Sequence, residues 1–101
     1  MALQYNVTTE RTQELIAIGD NVSTKSIHIT NRHASLDVLV DLYLLSSCGA
    51  NRYYLLYQHK IEKGQYVVLN HQNVSFNNRA TGFGLYIKLN NSHSTVDVLI
   101  S

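Results

Sequence analysis

The chain is 101 residues long, 45% apolar and only 15% charged, with a formal net charge of +1. That length makes one domain, residues 1–101, which hides roughly 65% of its unfolded surface and needs no covalent staples; the balance excludes disorder, which requires low hydrophobicity and high charge. The eight basic residues are scattered without a run of two, which argues against a phosphate-binding patch and therefore against nucleic acid as a partner.

Leu3, Tyr5 and Val7 alternate with polar residues, so residues 1–11 read as an edge strand or an arm laid on a neighbour. Gln13 to Gly19 is apolar on both parities, through Leu15 and Ala17 on one and Ile16 and Ile18 on the other. Gly19-Asp20-Asn21 is a turn signal. Ser23 to Asn31 alternates cleanly, with Ile27 and Ile29 inward and Ser26, His28 and Thr30 outward, and Asn31 to Ser35 is a polar connection.

The stretch Ser35 to Leu45 organises the rest. Leu36, Val38, Val40, Leu42 and Leu44 share one face, while Asp37, Leu39, Asp41, Tyr43 and Leu45 make a mixed second face. One dry face and one half-dry face predict a strand in the middle of a sheet. After the turn at Ser46 to Asn51, Arg52 to Gln58 is aromatic and apolar on both parities. His59 to Gly64 reads as a polar bridge anchored by Ile61, followed by a strand through Tyr66, Val67, Val68 and Leu69. His71 to Gly82 is a polar loop with Val74 and Phe76 as anchors. Phe83, Leu85, Ile87 and Leu89 then alternate with Gly84, Tyr86 and Lys88; Val96, Val98 and Ile100 point inward and Asp97 and Leu99 outward in the last strand.

Seven to eight short strands with polar turns and no helical periodicity predict an all-β fold, a single antiparallel β-sandwich of Ig-like or jelly-roll-like type. A small closed barrel is the rival architecture. Ser35-Leu-Asp-Val-Leu-Val and Thr95-Val-Asp-Val-Leu-Ile echo one another, each after a stretch holding a histidine, His33 or His93; similar strands in similar sheet environments are the favoured reading of the echo, an ancient duplication the alternative. There is no proline, so the turns fall to Gly and Asn, which tolerate positive φ.

Catalytic equipment is not visible. Cys48 is the one cysteine, which excludes an intrachain disulfide and a Cys-based zinc site. The five histidines, His28, His33, His59, His71 and His93, lack the spacings that place two imidazoles on one metal. Asp37 and Asp41, four residues apart on one strand, would stand roughly 13 Å apart, beyond the reach of a paired-carboxylate mechanism. No nucleophile elbow or phosphate cradle occurs, so no enzyme, metal or cofactor is expected. Residues Met1 to Glu14 show neither a basic nor an apolar leader segment, and no apolar run approaches the ~20 residues of a membrane span. The expectation is a protein made in a reducing cytoplasm that meets no membrane. The glycan-acceptor triplets at Asn6, Asn21, Asn73 and Asn90 then reflect asparagine richness alone.

Tyrosine is the one enriched type, at Tyr5, Tyr43, Tyr53, Tyr54, Tyr57, Tyr66 and Tyr86. An apolar body with a polar tip suits interfaces and sugar-binding faces alike. Leu39, Tyr43, Tyr54, Leu56, Tyr86 and Leu99 are the candidate interface residues, expected to build a second apolar surface that a neighbour covers.

Thr24-Lys-Ser-Ile-His-Ile-Thr-Asn-Arg, Val38-Leu-Val-Asp-Leu-Tyr-Leu, Tyr53-Tyr-Leu-Leu-Tyr, Ile61-Glu-Lys-Gly-Gln-Tyr-Val-Val-Leu and Val96-Asp-Val-Leu-Ile-Ser together resemble small β-sandwich structural proteins of tailed bacteriophages, those of marine cyanophages in particular. The resemblance covers about Thr24 to Ser101; the family's proline before the x-Gly turn is replaced here by Glu62-Lys63. It implies a non-enzymatic virion component, with capsid decoration leading over other head, neck or tail positions, located in the virion and partnered by itself and by other virion proteins. The alternative is a carbohydrate-binding or adhesion module that uses exposed tyrosines as stacking platforms.

Overall fold

The computed structural model describes residues 3–21, 24–46, 49, 52–70 and 76–101. Eight strands follow in chain order: β1 (Leu3–Thr8), β2 (Thr12–Ile16), β3 (Ser26–Asn31), β4 (Val38–Ser46), β5 (Arg52–Ile61), β6 (Tyr66–Asn70), β7 (Phe83–Leu89) and β8 (Thr95–Ile100). They form two four-stranded sheets, ordered β1-β8-β3-β6 and β2-β7-β4-β5, with every pairing antiparallel. The first strand pairs with the last, the second with the seventh, the third with the sixth and the fourth with the fifth. This is the pattern of one long hairpin rolled over on itself, the double Greek-key jelly roll. The sandwich expectation holds, and the strand order selects its jelly-roll form over the Ig-like one and over the closed barrel.

The core is the meeting of two inward faces. Val7, Ile27, Ile29, Val96, Val98 and Ile100 come from one sheet, and Ile16, Val38, Val40, Leu42, Leu44, Leu85, Ile87 and Leu89 from the other. Each set follows the two-residue period of its strand, because a side chain one position out of register would point to the opposite face. As expected, β4 is an inner strand, flanked by β5 and β7. The echoing stretches become β4 and β8, each an inner strand of its own sheet.

Two readings of the sequence are corrected and a third is explained. Leu36 is not part of the central strand: β4 begins at Val38, and Leu36 lies exposed in the connection before it. The segment His59 to Ile61 is not a polar bridge but the end of β5, paired with Val38 to Val40. Its polarity reflects an edge strand that wets one flank. The double-faced run at Leu15-Ile16 arises from a bulge in β2, which buries both residues against the core.

The two sheets meet the cost of such bulges with side-chain hydrogen bonds. The Tyr5 hydroxyl, from β1, donates to the carbonyl of Leu15 across the sandwich. In β5 the register shifts twice opposite Leu42, and Gln58 adopts a left-handed φ of 47°. The buried carboxylate of Asp41 accepts the Gln58 amide at 2.5 Å, a bond the ladder loses at the bulge. Gln58→Gly is expected to stabilise the protein by about 0.5–1 kcal/mol, since glycine adopts that φ without a Cβ clash; thermal denaturation checks it.

Asparagine plays a different part from the one composition suggested. Among described residues only Asn21 takes positive φ, beside Thr9, Gln58 and Gly19, Gly49 and Gly64. Several of the other described asparagines clamp loops through their side-chain amides. Asn78, buried, donates to the carbonyls of Ala17 and Phe83, and Asn91 accepts the Leu39 amide. Asn31, with no exposed surface, donates to the carbonyls of Leu36 and Ile61 and accepts the His33 amide. Phe76 packs on the core as expected; Cys48, His71 and Val74 lie outside the described residues.

Candidate functional site

The outer face of the β2-β7-β4-β5 sheet carries one continuous row of side chains. Residues paired across a ladder point to the same side. Tyr54 pairs with Tyr43, Tyr43 with Tyr86, and Tyr86 with Glu14, so the row crosses all four strands. The Tyr43 ring lies parallel to Tyr86 with centroids 5.7 Å apart, and tilted against Tyr54 at 5.5 Å. Tyr57 meets Tyr54 edge-on at 4.9 Å, and the Arg52 guanidinium sits 5.0 Å from the Tyr43 centroid. Tyr43 is thus 4% exposed on a face that otherwise looks outward, while Tyr54 and Tyr57 remain 43% and 63% exposed.

The six candidate interface residues divide. Tyr43, Tyr54 and Tyr86 stand together in the row. Leu39 is half-buried at the end of β4 that pairs with Lys60. Leu56 does not share their surface: the bulge pairs it with inward-facing Leu42, and it packs on the core. Leu99 lies on the other sheet, exposed on β8. Tyr57, outside the sequence-derived set, extends the aromatic surface, whereas Tyr53 pairs with inward-facing Leu44 and rests edge-on against Phe83 on the other side of the sheet. The parity rule misses Tyr57 because the same bulge resets the count.

The row has an electrostatic signature. Burial raises the Tyr43 hydroxyl above the ordinary tyrosine value; the Arg52 charge opposes this, and Tyr54 and Asp41 reinforce it. The hydrogen bond from the Tyr86 hydroxyl to Glu14 Oε2, 2.8 Å, raises Tyr86, with burial adding to it. Tyr5 is raised by burial and then by Asp20 and Glu14. The fold favours the neutral phenol in all three. Their stabilising contribution is therefore whole below the unfolded value near pH ~10 and is lost as pH rises through the higher folded values. An alkaline titration of phenolate absorbance is expected to show a late component that Tyr43→Phe and Tyr86→Phe each diminish.

The opposite outer face, on the β1-β8-β3-β6 sheet, is polar and hollow. Two ladder rows cross it, Gln4-Leu99-His28-Val68 and Asn6-Asp97-Thr30-Tyr66. Side chains from both line an open depression of about 580 Å³. Asn6 Nδ2 donates to Asp97 Oδ1 at 2.7 Å, and Arg32 Nε lies 3.4 Å from Asp97 Oδ2. The Tyr66 ring stands edge-on to His28 at 4.9 Å.

At the end of the sandwich His33 and His93 meet edge-on at 5.4 Å, bringing together the two histidines that precede the sequence echo. Both are occupied structurally. His33 Nδ1 accepts the amides of Ser35 and Leu36, and His93 Nε2 reaches the Asp37 carbonyl at 2.7 Å. The Lys63 amide holds the Asp37 carboxyl below its ordinary value; desolvation opposes this, and the Lys60 charge assists it. Among the described residues no three His, Cys, Asp or Glu side chains gather as a metal site, and no helix is long and apolar enough to cross a membrane. Asp37 sits in a loop, Asp41 in one sheet and Asp97 in the other.

No protein-family model and no curated protein matches the chain. Solved structures do. PirA superposes with a TM-score of 0.58 at 12% identity, covering 98% of this chain and 90% of that one. A Yersinia pseudotuberculosis-derived mitogen gives 0.49 at 9% identity over 99% and 81% of the two chains. The SPBc2 prophage-derived protein YomS gives 0.48 at 10% over 99% and 94%. At such identities the likeness is one of fold. A prophage-derived protein stands among these neighbours; the cyanophage likeness has no counterpart there.

Proposed function

We propose that the chain is a non-enzymatic structural component of a tailed-phage virion, most simply a capsid decoration protein or another head, neck or tail accessory protein. It acts through protein–protein contacts with copies of itself and with other virion proteins, and engages neither nucleic acid nor membrane. The observation that carries this reading is the aromatic surface of the β2-β7-β4-β5 sheet. Tyr54 and Tyr57 are exposed on a single edge strand, beside Tyr43 and Tyr86 already locked in place. Rigid aromatic anchors next to an arginine are what protein interfaces concentrate, since they bury area at little entropic cost. A jelly roll by itself hosts many functions, so this surface and the sequence resemblance support the reading, not the fold.

Sedimentation velocity over a wide concentration range tests the contact surface. Self-association is expected, and Tyr54→Glu with Tyr57→Glu is expected to weaken it by about 100-fold, the scale of interface hot spots. Both side chains are exposed, so the unfolding midpoint should hardly move. A chain monomeric at every concentration, in wild type and variant alike, counts against this surface.

A further inference from the structure

We propose that the depression on the outer face of the β1-β8-β3-β6 sheet is a binding site for a neutral saccharide, separate from the aromatic face across the sandwich. The polar groups around it are amide, hydroxyl and carboxylate, from Gln4, Asn6, Thr30 and Asp97. Amide and carboxylate groups each offer two hydrogen-bonding positions in one plane, the pattern that adjacent sugar hydroxyls match. The volume, about 580 Å³, falls within the ordinary range of small-ligand sites.

Charge chooses among ligands. Asp97 is oriented by Asn6 and offset by Arg32, leaving a fixed acceptor rather than an uncompensated anion. That arrangement gives little reason for a cation to bind, and with Arg32 already engaged it gives little for an anion. A peptide adding itself as a strand is also disfavoured. The cleft lies on the face over β1, β8 and β3, where the backbone groups of β8 and β3 are committed to ladders on both sides and only the outer flank of β1, away from the cleft, is open to an added strand. Recognition there must come from side chains.

Tyr66 supplies the apolar element. Tyr66 is 62% exposed, pairs with the lining residue Thr30 and can stack on the C–H face of a sugar ring beside the depression; Leu99, 40% exposed, lines it and adds an apolar patch. The same place holds an unexplained group: His28 Nε2 is sealed from solvent with no hydrogen-bond partner while its ring abuts Tyr66. Buried polar atoms are seldom left so. A hydroxyl entering as Tyr66 moves aside would provide the missing partner.

The test uses the intact chain and a panel of neutral hexose and N-acetylhexosamine mono- and oligosaccharides, read by saturation-transfer NMR and then by titration of the best binder. Binding is expected, weakened about tenfold or more by Asn6→Ala and by Tyr66→Ala, both exposed positions, and by Asp97→Asn. Tyr54→Ala, on the opposite face, should leave it unchanged. No binding at millimolar concentration overturns the assignment, as does binding indifferent to all three cleft substitutions. Binding confined to anionic sugars and lost with Arg32→Ala overturns the choice of a neutral ligand.

Discussion

Asn31→Leu is expected to cost about 3–5 kcal/mol, a large part of the roughly 5–15 kcal/mol by which a domain of this kind is stable. Leucine fills nearly the same space but leaves the carbonyls of Leu36 and Ile61 and the amide of His33 without the partners that Asn31 supplies. Each is a buried or half-buried group whose loss of a partner carries the desolvation penalty. The backbone of Asn31 joins the same knot: its amide donates to the Gln65 carbonyl and its carbonyl accepts from Gly64. One residue thus fastens the end of β3 to the 32–37 connection, to β5 and to the turn before β6. Urea denaturation should show the midpoint falling by about 2 M at an ordinary slope. Asn31→Asp keeps the acceptor but removes both donors and buries a charge, so it should be no milder. A change below about 1 kcal/mol for both would mean the knot is redundant.

Ile87→Ala is expected to cost about 3–4 kcal/mol, with Ile87→Val at about 0.5–1.5 kcal/mol as its graded control. Ile87 is fully buried and pairs with Leu42 on one side and Gln13 on the other. It shares one core cluster with Ile27, Ile29 and Val98 of the facing sheet, where close packing limits collapse around a cavity. Thermal and chemical denaturation should agree on the order alanine below valine below wild type.

These two positions also mark the boundary of what the sequence discloses. Ile87 was legible from parity, as were Ile27, Ile29, Val96, Val98 and Ile100, because a half-buried strand must place its apolar residues at every second position. Tyr43 and Tyr86 were legible as an outward pair for the same reason. Asn31 was not, since nothing local separates an asparagine that closes a knot from one in a solvated turn; its partners are 5 and 30 residues away. Bulges hid the rest. An extra residue in β5, between the partners of Tyr43 and Leu42, turned Leu56 to the core and brought Tyr57 to the aromatic face, and no local signal marks it; the second shift, between Leu42 and Val40, is marked only by the distant Asp41 that accepts the Gln58 amide. Leu99 was rightly read as outward but belongs to the other sheet, an assignment that strand parity cannot make. The hollow on that sheet is not legible in the sequence, because its members come from β1, β3 and β8, which are far apart in the chain.

The claim beneath the functional account is that this chain is assembled into a particle. Quantitative mass spectrometry of gradient-purified particles, produced from the genome that encodes it, puts that to the test most directly. The account predicts the chain in constant ratio to the major capsid protein across the particle peak, with the ratio falling for a Tyr54→Glu, Tyr57→Glu variant. Particles that form fully and carry none of it would contradict the account.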